Sequence, residues 1–202
     1  MATSAVWQVP GVPAEFDWLG VPVHAEMGGG SLVVAAGGHT DWFVDPGSGA
    51  TVLNAPALLG AAPGEYTLSC RVEAELRATF DAGALVLWAD EHTWAKLALE
   101  RSPQGEAMVV SVVTRGESDD CNSVIVGAES TWLRVASLGP AYAFHFSLDG
   151  RRWQFVRHFR FPERTAPRIG FEAQSPTGEG CRARFSEIVY RPGPLTDLRD
   201  GS

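Results

Sequence analysis

The sequence predicts an all-β chain folded as a sandwich or a barrel. Three observations carry that prediction. Apolar and polar residues alternate with period two in one short segment after another, and those segments are rich in Val, Ile, Phe, Tyr, Trp and Thr. Gly, Pro and Asp punctuate them at the short intervals of sandwiches and barrels, roughly every 8–12 residues. No segment holds a long helical period. "SCRVEAELRATF" has spacing that a helix would tolerate, but Leu68, Cys70, Val72, Ala74 and Leu76 alternate as a strand does.

Taken in order, "SLVVAAG" (31–37) is the first strand. A long irregular segment follows at 38–64, of the kind that often carries function in a compact domain. Strands are then expected at 66–76, 83–90, 93–100, 107–115, 123–128, 131–137, 141–149, 153–160, 168–174 and 181–191. Asp149-Gly150 is a hairpin signal, and "RSPQGEA" is a Pro/Gly turn. "MGGGS" (27–31) lacks the spacing and the Lys-Ser/Thr of a phosphate loop and reads as a turn. Residues 14–191 form one domain in this reading, with an N-terminal tail at 1–13 and a C-terminal tail at 192–202.

The formal charge of −8 disfavours a nucleic-acid surface or a polybasic membrane patch. No basic start followed by an apolar core opens the chain, so no secretory leader is expected. The three cysteines cannot all pair within one chain. Cys70 and Cys181 fall in phase with apolar rows and are expected in the core, and Cys121 in "DDCN" is expected outside. The compartment expected is the reducing cytoplasm.

Within the strands, Leu85, Leu87, Ala95, Leu97, Leu99, Ile169, Phe171 and Ala173 form the smooth, inward rows. The opposite rows mix tryptophan with charge: Trp88, Trp94, Lys96, Glu100, Glu172 and Gln174. Lys96 is the chain's single lysine among fifteen arginines. A curved sheet would turn these rows into a groove, where aromatic faces stack on sugar rings and polar groups bond hydroxyls. The plainer alternative is cross-strand packing of the tryptophans and a surface ion pair for Lys96.

"TDWFVDP", "NAPALL", "DAGALVLWADEHTWAKLALE", "SVVTRGESDD", "WLRV", "FSLDGRRWQFVRHF" and "IGFEAQSPTGEGCRARFSEI" occur in this order over roughly residues 14–190. Together they resemble the domain-of-unknown-function family often labelled "regulation of enolase protein". The resemblance implies a two-sheet antiparallel jelly-roll sandwich, concanavalin A-like, similar to non-catalytic modules of some β-xylosidase-type hydrolases. Its pattern falls on Asp41, Trp42, Asp45, Trp94, Lys96, Glu100, Thr114, Ser118, Asp119, Ser175 and Pro176. The family usually has an aromatic after the Ser-Asp pair, where this chain has "SDDCN". No catalytic residue is carried over.

The reading that follows is a non-catalytic module binding a small saccharide or glycoside on its concave sheet, with no reaction assigned. Its ligand-binding candidates are Asp41, Trp42, Trp88, Lys96, Glu100, Ser118, Asp119, Glu172 and Gln174. Trp42 and Trp88 would stack, Lys96 and Gln174 would donate, and Glu100, Asp119 and Glu172 would accept. A protein-interaction or metabolic regulatory module anchored on Trp42, Phe43 and Trp88 is the alternative. A glycan hydrolase using Glu100 and Glu172 as paired carboxylates comes third. No cofactor is expected. Calcium is the metal that the loop oxygens of Asp41, Asp45, Asp90, Asp119 and Asp120 would favour, although they lack an EF-hand spacing.

Overall fold

A computed structural model describes residues 6–162 and 166–202. Residues 1–5 of the expected N-terminal tail lie outside the described residues. The described chain holds no helix. Its strands, in order, are β1 (Trp7–Gln8), β2 (Glu15–Leu19), β3 (His24–Gly28), β4 (Ser31–Gly37), β5 (Trp42–Val44), β6 (Thr51–Leu53), β7 (Ala57–Ala61), β8 (Tyr66–Ala74), β9 (Ala82–Asp90), β10 (Thr93–Arg101), β11 (Ala107–Arg115), β12 (Glu117–Ile125), β13 (Ser130–Ser137), β14 (Tyr142–Ser147), β15 (Gln154–Phe159), β16 (Arg168–Gln174) and β17 (Gly180–Pro192).

Two antiparallel sheets form the sandwich. One has eight strands in the order β1-β2-β7-β16-β9-β10-β11-β12, and the other has seven in the order β15-β14-β13-β8-β17-β4-β3. The rows read as inward do meet between them. Leu85, Leu87, Ala95, Leu97, Leu99 and Phe171 pack with Leu68, Cys70, Val72, Val135, Phe144 and Phe185. Cys70 and Cys181 are buried there and Cys121 is exposed, all three unpaired.

The irregular segment is more ordered than its sequence suggests. It contains the hairpin β5-β6 and the strand β7. The stretch 38–56 crosses the outer face of the eight-stranded sheet as an arm. Its Trp42 and Ala55 form a second apolar cluster with Ala84, Val86, Trp94 and Ala98 of the sheet. A β-bridge from Thr40 to Ser175 fixes one end of the arm. A hydrogen bond from the Val44 amide to Ser118 Oγ at 2.9 Å fixes it near β12. Covering this face removes from water an apolar surface that a bare sheet would expose.

Two further expectations change. "SDDCN" is not a loop but part of β12, the edge strand paired to β11. A charged, polar edge resists pairing with other chains, which is why the segment lacks apolar alternation. The residues read as tails are docked. Val9 and Val12 are buried, and β1 pairs with β2. At the other end Arg134 donates to the Gly201 carbonyl at 2.6 Å, and the Leu198 carbonyl lies 2.8 Å from His145 Nε2. The Arg199 guanidinium sits over Phe155. These are long-range contacts to side chains on the outer faces of β13, β14 and β15, so local composition carries no trace of them.

Gly170 lets β16 approach β7 closely. It lies opposite Leu59, and a Cβ there would overlap the carbonyl oxygen of Leu58. Gly170→Ala is therefore expected to cost about 2–3 kcal/mol, the upper range for overpacking a core. A shift in the urea midpoint at unchanged slope checks it.

Candidate functional site

Strand register assembles the site. On β10 Glu100 and Lys96 point to the outer face, two strand periods apart. Ala82 of β9 stands between Glu100 and Gln174 of β16, and Ala84 stands between Ala98 and Glu172. These small residues leave room above the sheet. On the other side of β10, Val112 of β11 separates Lys96 from Asp120 of β12. Asn122 of β12 stands opposite Val110, beside a register shift between Val109 and Val110. The arm brings in Asp41 and Phe43 from above, and Phe80 and Pro103 form the lip. The pocket they enclose has a volume of about 330 Å³, within the range of small-molecule sites.

Lys96 is the floor of this pocket and is only 2% exposed. Its ammonium donates to Asp41 Oδ1 at 3.0 Å and to Gln174 Oε1 at 2.6 Å. Burial pulls its pKa down, but Asp41, Glu172 and Glu100 more than offset this, so the net shift is upward. Lys96 therefore stays charged. Arginine would bring a planar fork of five donors into a space that supplies two acceptors.

The surrounding carboxyls are shifted upward as well, toward their neutral forms. Burial pushes Glu100 up to about 8; Lys96 opposes the shift, and Asp120, Asp41 and Glu172 add to it. Burial likewise pushes Glu172 up to about 8 against the pull of Lys96. Asp120 is raised by burial, again against Lys96. Glu172 is fully buried, and neither of its oxygens has a hydrogen-bond partner, which suits a protonated carboxyl.

Phe80 holds a backbone φ of +68°, an outlier for a bulky residue. Its amide donates to the Arg101 carbonyl at 2.8 Å, and its own carbonyl accepts from Gln174 Nε2 at 3.1 Å. Gln174 thus joins Lys96 to the lip. Strain of this kind costs about 1–3 kcal/mol and gathers at functional sites. Here it holds an aromatic ring, 38% exposed, at the mouth of the pocket.

Of the residues singled out by sequence, Asp41, Lys96, Glu100 and Gln174 converge on the pocket. Trp42 does not offer a face to a ligand. It is 1% exposed, packed on Trp88 at 4.8 Å and on Trp94 at 5.7 Å between ring centroids, with Nε1 donating to the Ala55 carbonyl. Trp88 is half-buried beneath it and does not line the pocket. Glu172 lies at the same sheet face but outside the pocket lining. Ser118 is buried, bonded to the Val44 amide and to Thr114. Asp119 is one residue out of phase: it pairs with Arg157 at 2.6 Å, away from the pocket, and Asp120 takes the pocket-facing position. The missed residues Asp120 and Asn122 were readable by counting in twos from Ser118, but only once the segment is known to be a strand. Phe43 and Phe80 had no such signal as pocket residues.

The five aspartates read as loop oxygens do not gather as one set: Asp41 and Asp120 line the pocket, and the others lie elsewhere. Asp45 caps its own turn through Gly47 and Ser48, and Asp90 accepts from the His92 amide. Among the described residues no three His, Cys, Asp or Glu side chains come together as a metal site.

The class is thus an antiparallel β-sandwich with a polar, aromatic-lipped pocket on one sheet, the concanavalin A-like jelly-roll arrangement. The chain belongs to the DUF1349 family, described as proteins of unknown function, whose model matches residues 18–193. A functionally unknown protein from Saccharomyces cerevisiae is similar at 27% identity and a TM-score of 0.81, over 88% of this chain and 96% of that one. A legume lectin-like domain from Entamoeba histolytica shares the fold at 8% identity and a TM-score of 0.56, over 88% of this chain and 90% of that one. A GH43 protein from Bacillus licheniformis shares it at 15% identity and a TM-score of 0.65; 81% of this chain aligns with 33% of that one. No curated protein matches the chain.

The raised carboxyls make a prediction about pH. Between the ordinary carboxyl value of 4.5 and about 8, the folded chain holds protons on Glu100 and Glu172 that the unfolded chain has released. Their contribution to stability is therefore greatest at the acid end and falls as pH rises through that window. Glu172→Gln removes one such group while keeping its shape. Relative to wild type it is expected to gain stability progressively from pH 5 to pH 9, by roughly 2 kcal/mol at the alkaline end. Parallel melting curves across that range check it.

Proposed function

We propose that the protein binds a small saccharide or glycoside in the pocket above Lys96, without catalysing its cleavage. The observation that carries this reading is the pairing of converging polar groups with exposed aromatic rings in one enclosure. Gln174, Glu100, Asp120 and Asn122 supply donors and acceptors for hydroxyls, and Phe43 and Phe80 supply apolar faces for a ring. The jelly-roll fold agrees with this reading, but fold alone would not support it.

Glu100 and Glu172 do not form the pair of carboxyls that the hydrolase reading would use. A glycosidase needs two of them flanking one bond. Glu100 opens into the pocket, but Glu172 is sealed at the sheet surface and does not line it. In the same reading the protein works in the cytoplasm, where Cys70, Cys121 and Cys181 stay unpaired.

Titration calorimetry with a panel of mono- and oligosaccharides tests the proposal. At least one sugar should bind wild type. Asp120→Ala and Phe80→Ala should each weaken it about tenfold, the loss of one good polar or stacking contact. Asp119→Ala, one residue along and facing away, should leave it unchanged. A folded wild-type protein that binds no sugar would sink the saccharide reading and move attention to a protein or regulatory partner at the same pocket.

A further inference from the structure

We propose that the ligand carries an ammonium group seated against Glu100 and within the field of Asp120, so that the pocket selects amino sugars over their neutral counterparts. This rests on the saccharide reading and goes on to name the class of sugar.

Charge balance is the first argument. Three carboxyl groups line the pocket, Asp41, Glu100 and Asp120, against one ammonium, Lys96. Lys96 is already engaged, bonded to Asp41 and to Gln174. Both of its hydrogen bonds go elsewhere, to the arm and to β16, so it reaches Glu100 and Asp120 through its charge alone.

Glu100 is the second argument. Its carboxyl lines the pocket, is only 9% exposed, and has no hydrogen-bond or ion-pair partner among the described residues. A carboxylate left in that state is costly unless something charged and hydrogen-bonding meets it. Asp120 faces the same pocket from β12, level with Lys96 across Val112 and two strand periods from the level of Glu100, which stands opposite Met108. A primary ammonium has three donors and one positive charge, which serve an acidic acceptor at Glu100 and gain from the charge of Asp120 in the same pocket.

The walls are the third argument. Phe43 and Phe80 line the same space. Aromatic faces carry negative quadrupole charge and attract cations as well as the C–H faces of a sugar ring.

Burial favours the neutral form of Glu100, and the acidic groups around it act in the same direction. Asp41 on the arm, Glu172 on β16 and Asp120 on β12 each favour its neutral form, and Lys96 on its own strand opposes them. Arg157 of β15 lies behind β12, pairs with Asp119 and also eases the charge on Asp120. Glu100 is therefore largely protonated near neutral pH in the free protein. A cation seated against it favours the carboxylate, so binding an amino sugar at pH 7 releases a proton.

The test is calorimetry at pH 7 with glucosamine and galactosamine, their neutral parents and their N-acetylated forms, in two buffers of different ionisation enthalpy. The amino sugars are expected to bind at least tenfold more tightly than the neutral and acetylated forms, with proton release that differs measurably between the buffers. Glu100→Gln and Asp120→Asn should each bring the amino-to-neutral ratio toward one, and Asp119→Asn should preserve it. Circular dichroism confirms that the variants fold, and the exposed position of Asp120 makes its variant the safer one. Neutral sugars binding as tightly as amino sugars would overturn the ammonium seat and leave the saccharide reading standing. Ethanolamine binding in a Glu100-dependent way, with no sugar binding at all, would support the seat and overturn the saccharide. Silence from every probe would overturn both.

Discussion

A single buried ammonium organises the functional half of this protein. Lys96 rises from the outer face of the eight-stranded sheet and bonds at once to the arm, through Asp41, and to the neighbouring strand, through Gln174. Gln174 in turn holds the carbonyl of Phe80 at the pocket lip. Floor, roof and mouth are thus linked through one side chain. A buried ion pair gives little net stability against an apolar replacement of equal volume. The physical role of Lys96 is better seen as placement: it fixes where the arm stops and where the pocket begins.

The arm divides one sheet face into two environments. Over Trp88, Trp94 and Ala98 it lays Trp42 and closes the surface into an apolar cluster. Beyond Asp41 the same face stays open above Lys96, Glu100 and Gln174. Tryptophans that a bare sheet would offer to a ligand are consequently used for packing. The aromatic rings at the opening are Phe43, on the arm itself, and Phe80, held in a strained conformation at the end of a loop. Acidic groups are concentrated on this face; burial raises Glu100 and Glu172 by stripping water from the charged form, and neighbouring acids add to the shift.

The fold was legible because alternation is a local property. Leu85, Leu87, Leu97, Leu99, Ile169 and Phe171 repeat every second residue, and a strand with that pattern has one face suited to a core. The same counting placed Lys96, Glu100 and Gln174 on the opposite face, where they are found. It failed on β12, since an edge strand needs polar side chains and so imitates a loop. Asp119 enters as a candidate through the family resemblance, and without a strand to count along nothing places Asp120 on the pocket face instead; a shift of one in a strand is a change of face.

Period and composition sufficed for the strands, for the inward rows and for the lone lysine as a point of interest, because each strand writes its two faces into its own sequence. Which outward residues remain open to solvent was settled by packing across long stretches of chain. Residues 38–56 cover part of the face, and nothing within Trp42 or Trp88 alone says that they lie under an arm rather than in a groove. The docking of residues 192–202 on Arg134 and His145 is of the same kind. Burial is a sum over neighbours distant in sequence, so the strand pattern can say which way a side chain points without saying what stands above it.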